Sequence, residues 1–216
     1  MKKILMLVCG LLLSWNVNAL EVAGVKLVEN AQVGNANLQL NGAGIRTRLF
    51  FKVYVAGLYL PQKQTSADVI IADEHEHRVA LHIMRDLSSK KLFNAFSEAI
   101  EANHTGAELS ALDGQLKQMA KIFDAVNEVK PGDVITLDYL PASGTQISVN
   151  GAARGTIEGA AFNRALLKIW LGSKPVLTFC FATWLLLLAG WTLLAGRVLA
   201  PGLATVLALQ FFMGLL

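Results

Sequence analysis

The fold is decided by one stretch, Leu40-Asn-Gly-Ala-Gly-Ile-Arg-Thr-Arg-Leu-Phe-Phe-Lys-Val-Tyr-Val-Ala-Gly-Leu-Tyr-Leu60. Its first part, Asn41–Gly44, contains two glycines. It predicts a turn, because glycine reaches backbone angles that other residues avoid. Its second part, Arg46–Leu60, is rich in aromatic and β-branched residues and predicts one extended strand.

Side chains alternate between the two faces of a strand, so Arg46–Leu60 divides into two sets. One set is nearly all apolar and is predicted to be core: Thr47, Leu49, Phe51, Val53, Val55, Gly57 and Tyr59. The other face carries Arg46 and Tyr54 among apolar side chains, which predicts a site for an anionic or oxygen-bearing ligand. On a straight strand these two residues would lie about 26 Å apart, so sharing a small ligand requires the chain to turn between them.

Two segments account for the high hydrophobic content of 54%: residues 4–15 and residues 177–216. Residues 1–19 combine a basic start, a short apolar run and a final small residue, Ala19, which is the layout of a secretory signal peptide. We therefore expect cleavage after Ala19 and export of the domain, residues 20–176, to the periplasm of a bacterium.

The C-terminal tail, residues 177–216, contains a single charged residue, Arg197. It divides at Gly196-Arg197 into two apolar stretches of 19 residues, each long enough to cross a bilayer as a helix. The tail is therefore a candidate transmembrane hairpin that would hold the domain at the inner membrane. A gene fusion or frameshift would produce the same abrupt change in composition.

Charge and cysteine content exclude several functional classes for the domain. The chain has 19 Lys and Arg against 16 Asp and Glu, and the difference comes from Lys2, Lys3 and Arg197. The balanced domain gives no electrostatic reason to expect nucleic acid as a partner. Both cysteines lie in the apolar segments, so no disulfide framework is expected. His75 and His77 lack a third ligand at diagnostic spacing, so no metal site and no cofactor are predicted.

The remaining pattern predicts an α+β fold. Strand-like segments occupy 21–33, 68–72, 78–85, 134–140 and 146–150, with a further strand near Thr156. A helix is expected after Ser88, a second helix along an apolar stripe from Leu109 to Val126, and a third over 161–171. Many strands and a helical cluster favour a mostly antiparallel sheet.

The motif GxGxRxxxxFKVYVAGLYL of residues 42–60 resembles the chalcone isomerase-like family. The resemblance continues through 84–88, 129–133 and 166–172 and covers about residues 21–176. It implies a curved, mostly antiparallel sheet packed with helices on one face, with a ligand cleft between the layers, followed here by the apolar tail.

The resemblance also implies where site residues lie. Among the family's isomerase residues, only the arginine that holds the oxyanion has a clear match, Arg46. Tyr54 occupies the place of the strand threonine, the helix positions fall near Lys91 and Glu98 with Asn94 between them, and the last threonine is replaced by Ile169. Arg46 with Tyr54 is similar to the carboxylate clamp of the family's fatty-acid-binding members.

Three functions follow as hypotheses. The favoured one is a non-catalytic periplasmic module that binds a small apolar carboxylate, such as a fatty acid, through Arg46 and Tyr54. The second is an isomerase or intramolecular lyase of chalcone isomerase type with a reduced site built on Arg46. The third is a structural or interaction domain held at the membrane by residues 177–216 and binding no ligand.

Overall fold

The structure is a computed structural model that describes residues 20–179. The predicted signal peptide, residues 1–19, and residues 180–216 of the predicted tail lie outside the described residues. Within residues 20–179, no helix is both long enough and apolar enough to cross a membrane.

Strands and helices in the described part are, in chain order, β1 (Leu20–Val22), β2 (Val25–Leu27), β3 (Asn30–Val33), β4 (Ala36–Arg48), β5 (Phe51–Leu60), α1 (Ala67–Ala72), β6 (His77–Ile83), β7 (Leu87–Ser88), α2 (Ser89–Ala102), α3 (Gly106–Ala111), α4 (Asp113–Val126), β8 (Glu128–Val129), β9 (Val134–Leu140), β10 (Gly144–Val149), β11 (Ala152–Ile157), α5 (Ala160–Leu171) and β12 (Thr178–Phe179).

The main sheet is curved and antiparallel, and it confirms the predicted fold class. Its strands follow the order β11-β10-β9-β6-β5-β4, and β3 also pairs with β4. All of these pairings are antiparallel. Two short antiparallel pairs lie outside the main sheet: β1 with β2, which form a hairpin, and β7 with β8, which are separated in the chain by α2, α3 and α4. The sheet thereby forms a half-barrel whose concave side is available to the helices.

Both faces of the sheet are buried, each in its own hydrophobic cluster. The larger cluster joins alternate residues of the sheet, such as Tyr54 and Ile135, to helix residues such as Phe96 and Leu166. The smaller cluster lies on the opposite face, where Val55 of β5 packs with residues of β1–β4. Because period two sends neighbouring residues to opposite faces, β5 contributes to both clusters.

The predicted single strand over Arg46–Leu60 is wrong, because the chain reverses at Leu49 and Phe50. The predicted turn at Asn41–Gly44 is also wrong: these residues lie inside β4, where the register shifts between Leu40 and Gly42. Glycine inside a strand often accompanies a shift in register, and the glycines at positions 42 and 44 lie beside such a shift rather than in a turn.

The predicted core face is correct for Val55 and Tyr59, which are buried in the smaller cluster. It is wrong for Leu49 and Phe51, whose side chains are 82% and 57% exposed at the reversal. A face predicted for one straight strand cannot extend across a hairpin turn, because the second strand is displaced sideways and runs back.

The predicted strand over 68–72 is wrong and is helix α1. The Ser66 hydroxyl accepts a hydrogen bond from the Val69 amide, and Asp68 lies in the first turn, where a negative charge suits the helix N-terminus. The apolar stripe from Leu109 to Val126 is helical as predicted, but it is interrupted at Leu112 between α3 and α4. The helices predicted after Ser88 and over 161–171 are confirmed as α2 and α5.

Candidate functional site

An apolar cavity of about 410 Å³ lies between the concave face of the sheet and the helices. This volume falls within the range of about 300–1,000 Å³ that is usual for small-molecule sites. Its apolar walls come from β9, β10, α2, α4 and α5 and include Ile135, Leu137, Ile147, Val149, Phe96, Met119, Ile122, Phe123, Leu166 and Ile169. Most of this lining also belongs to the main core, so the cavity is a gap inside the core.

The hairpin of β4 and β5 places Arg46 and Tyr54 opposite each other at one part of this cavity. The two residues are direct partners in the antiparallel register, and both line the cavity. The guanidinium carbon of Arg46 lies 5.9 Å from the centre of the Tyr54 ring. The reversal at Leu49 and Phe50 therefore supplies the turn that a shared small ligand requires, and it removes the separation calculated for a straight strand.

Tyr54 is fixed by a contact from the last helix. The Trp170 indole N–H donates a hydrogen bond of 3.1 Å to the Tyr54 phenol oxygen, and both side chains are buried. Burial raises the pKa of Tyr54 above its usual value, although the positive charge of Arg46 and the bond from Trp170 oppose that shift. The phenol is therefore neutral at physiological pH and keeps its proton. Within residues 20–179 no side chain accepts that proton, so the O–H is available to a ligand.

Arg46 is the one half-buried arginine of residues 20–179 that has no carboxylate partner, since Arg85 and Arg154, which also lack one, are exposed. Arg48 pairs with Glu98, Arg78 with Asp138 and Arg164 with Glu74. In the described part of the chain, no carboxylate pairs with Arg46, although its side chain is half-buried. A partly desolvated guanidinium is an anion site, because its N–H groups match the geometry of a carboxylate.

The positions implied by the family resemblance all line the same cavity: Lys91, Asn94, Glu98 and Ile169. Lys91, Asn94 and Glu98 are exposed on α2, whereas Ile169 is buried and has no polar side-chain atom. The cavity lining thus combines these exposed polar side chains with walls that are largely hydrocarbon.

Sequence reasoning missed two contributions to the cavity. Trp170 lies within the helix predicted over 161–171, and its bond to Tyr54 joins residues 116 positions apart, for which the sequence gives no signal. The charged residues Arg85 and Asp86 also line the cavity after the end of β6. Their position after a strand, in the motif Met84–Ser88, was the available clue.

The histidine pair does not form a shared site. His75 is exposed and contacts Asp73, whereas His77 is buried, with its Nε2 atom 3.0 Å from the Asn163 side-chain oxygen and its ring 5.1 Å from that of Tyr139. Burial lowers the pKa of His77. Within residues 20–179, no group of three or more His, Cys, Asp or Glu side chains is arranged to hold a metal ion.

Comparison with known proteins identifies the family. The chalcone isomerase-like family model matches residues 19–178. A solved structure with a similar fold is a fatty-acid binding protein of Arabidopsis thaliana: the TM-score is 0.58 at 18% identity, over 74% of this chain and 91% of the plant protein. No curated protein sequence matches the chain significantly. With a match that spans well over half of its length and with the corresponding fold, the chain belongs to the chalcone isomerase-like family.

Proposed function

We propose that this protein is a non-catalytic binding module for a small apolar carboxylate, such as a fatty acid. One observation carries the proposal: Arg46 and Tyr54 converge on an apolar cavity of about 410 Å³. A ligand with one charged end and one hydrocarbon end matches this cavity, which has two polar side chains at one part and apolar walls elsewhere. The plant protein of similar fold, described as a fatty-acid binding protein, is consistent with this choice of ligand.

The polar end of the ligand would be held by two kinds of donor. The Arg46 guanidinium presents parallel N–H groups that suit the two oxygens of a carboxylate. The Tyr54 O–H adds a further donor, and the bond from Trp170 restrains the phenol before the ligand arrives. Restraining a donor in advance favours binding, because less conformational entropy is lost in the complex.

The apolar end of the ligand would lie among aliphatic and aromatic side chains such as Ile135, Met119 and Phe123. Moving hydrocarbon from water to such a wall stabilises the complex by roughly 25 cal/mol for each Å² buried. A domain that only interacts with other molecules through its surface does not need an open cavity of this volume. The cavity therefore favours ligand binding over the purely structural hypothesis.

Isomerase activity is the alternative, and the residues of the cavity support it less well. A cyclisation of chalcone type needs polar groups that orient the substrate and stabilise the developing charge. Arg46 is present, but Ile169 stands where the resemblance implies a hydroxyl. Spectroscopic assay of chalcone cyclisation by the purified protein tests this alternative directly, and turnover that Arg46→Ala abolishes would favour it.

The binding proposal is tested by native mass spectrometry and lipid extraction of the full-length protein. We expect a co-purifying carboxylate in the wild type and its loss in Arg46→Ala. Arg154→Ala is the matched control: it removes the same charge from an exposed position on β11 that does not line the cavity. An identical ligand mass in all three proteins would refute the role of Arg46, and a ligand without a carboxyl group would refute the substrate class.

Location is part of the proposal and rests on the sequence. The predicted signal peptide, residues 1–19, would export the domain to the periplasm, and the predicted tail, residues 177–216, would hold it at the inner membrane. Cell fractionation with a C-terminal and an internal epitope tag tests both parts. Recovery of unprocessed protein from the cytoplasm would contradict export.

A further inference from the structure

The tip of the β4–β5 hairpin exposes three consecutive large apolar side chains. The exposed fractions are 82% for Leu49, 95% for Phe50 and 57% for Phe51. Exposed apolar residues that occur singly need no explanation, but a contiguous group on a protruding turn marks a surface that is covered in use.

The conformation of the turn strengthens this interpretation. Arg48 pairs with Phe51, so the loop consists of Leu49 and Phe50 alone. Leu49 has a φ angle of 57°, in the left-handed region where glycine, asparagine and aspartate are preferred in two-residue hairpin loops. A leucine is thus a poor choice at position 49 of the turn, which indicates that its side chain serves another purpose.

Cations surround the apolar tip. The sequence from Arg46 to Lys52 contains three basic residues and no acidic residue. The Arg85 guanidinium lies over the Phe51 ring, 4.7 Å from its centre. Acidic groups are also near: Glu98 lies 3.7 Å from Arg48 in an exposed ion pair, and Asp86 follows Arg85.

This combination fits the surface of a bilayer. Aromatic and aliphatic side chains enter the boundary between headgroups and acyl chains, and flanking basic residues bind anionic headgroups. Three adjacent exposed apolar side chains beside Arg48, Lys52 and Arg85 match the apolar boundary and the anionic headgroups of such a surface.

The tip is continuous with the cavity. Leu49, Phe51, Arg48 and Arg85 line it together with Arg46. We propose that the Leu49–Phe51 tip inserts into an anionic lipid surface and so brings the mouth of the cavity against the source of its ligand. The role of the cavity in this step rests on the proposed function, whereas insertion of the tip does not.

A local probe tests insertion in the full-length protein, because the predicted tail can hold the chain on vesicles by itself. With Cys9→Ser and Cys180→Ser, a single thiol introduced by Phe50→Cys carries an environment-sensitive dye. A matched protein carries the dye through Lys63→Cys, which is exposed beyond the other end of β5, roughly 30 Å along the strand.

We expect a blue shift of the dye at position 50, and its quenching by brominated acyl chains, when the protein is reconstituted in vesicles that contain phosphatidylglycerol. The dye at position 63 should keep its aqueous emission. Adding Arg48→Gln and Lys52→Gln should abolish the shift, as should vesicles of phosphatidylcholine alone. Aqueous emission at position 50 in anionic vesicles, or equal shifts at both positions, would overturn the proposal. If the tip inserts but no carboxylate co-purifies with the protein, the insertion proposal is supported and the proposed binding function is refuted.

Discussion

Tyr54→Phe separates the two roles that the structure gives to one phenol. The phenol oxygen accepts a hydrogen bond from Trp170, and its own proton has no acceptor within the described residues. Phenylalanine keeps the ring and nearly all of its volume, so the substitution removes only the polar interactions of the hydroxyl, including that with the adjacent Arg46 side chain. We therefore expect it to change ligand affinity and stability by separate amounts that can each be calculated.

The loss of affinity follows from the donor that disappears. A hydrogen bond to a charged group contributes about 1.5–3 kcal/mol, so a long-chain carboxylate should bind Tyr54→Phe about 10- to 150-fold more weakly. The loss of stability follows from Trp170, whose side chain is buried and whose N–H would have no partner. An unsatisfied buried donor costs about 1–3 kcal/mol.

Trp170→Phe is the matched comparison, because it removes the donor to Tyr54 but leaves the phenol O–H in place. We expect a loss of stability of similar size, with some contribution from the smaller ring. We expect a smaller loss of affinity than in Tyr54→Phe, because the phenol donor remains although its restraint and part of the cavity wall are lost. Urea unfolding measures the free energy of unfolding, and titration calorimetry with a long-chain fatty acid measures the affinity. Wild-type affinity in Tyr54→Phe would refute the assignment of the phenol to the polar end of the site.

Three further outcomes are expected. Asp138→Asn should lower the free energy of unfolding, measured by urea unfolding, by about 3 kcal/mol. It leaves the largely buried Arg78 guanidinium without the carboxylate that accepts its two hydrogen bonds of 2.6 Å. A loss below about 0.5 kcal/mol would contradict this. Leu49→Gly should raise the free energy of unfolding by about 1 kcal/mol, since glycine adopts the left-handed angle without strain, and a decrease would contradict the turn geometry. Burial lowers the pKa of His77 below the value of 6.5 expected when unfolded, so the unfolded chain binds protons more readily and stability should fall as the pH drops from 7 towards 5. His77→Gln should weaken this dependence, to which His82 contributes in the same direction; an unchanged dependence would exclude His77.

The sequence was sufficient for the fold because the signals that define it are long or regular. The apolar stripes of α2 and α5 and the alternation in β6 and β9 each extend over seven or more residues, and all four are present in the structure. Short segments were less reliable. For α1, six residues rich in β-branched side chains resemble a strand, and the outcome depended on the Ser66 cap and on burial of Ile70 against the core.

The sequence predicted which two residues form the polar part of the candidate site, but not how they are arranged in space. Arg46 and Tyr54 lie close together in the chain, and an arginine and a phenol among apolar residues indicate a polar site in an apolar wall. The distance between them in space could not be predicted, because it depends on a turn at Leu49 and Phe50 that lacks the usual glycine or asparagine. The contribution of Trp170 depends on tertiary packing, which no local pattern encodes.

Because the cavity lies inside the main core, binding of a ligand in it would change the stability of the folded protein. Core residues such as Met119 and Ile147 face this space, so an empty cavity leaves part of their surface without contacts. A ligand that binds only the folded chain stabilises it by about 2.7 kcal/mol at a concentration 100 times its dissociation constant. Proteases act on the unfolded fraction, so the amount of protein in the cell would follow the supply of ligand. The domain would then report the abundance of its ligand through its own turnover, without a conformational switch.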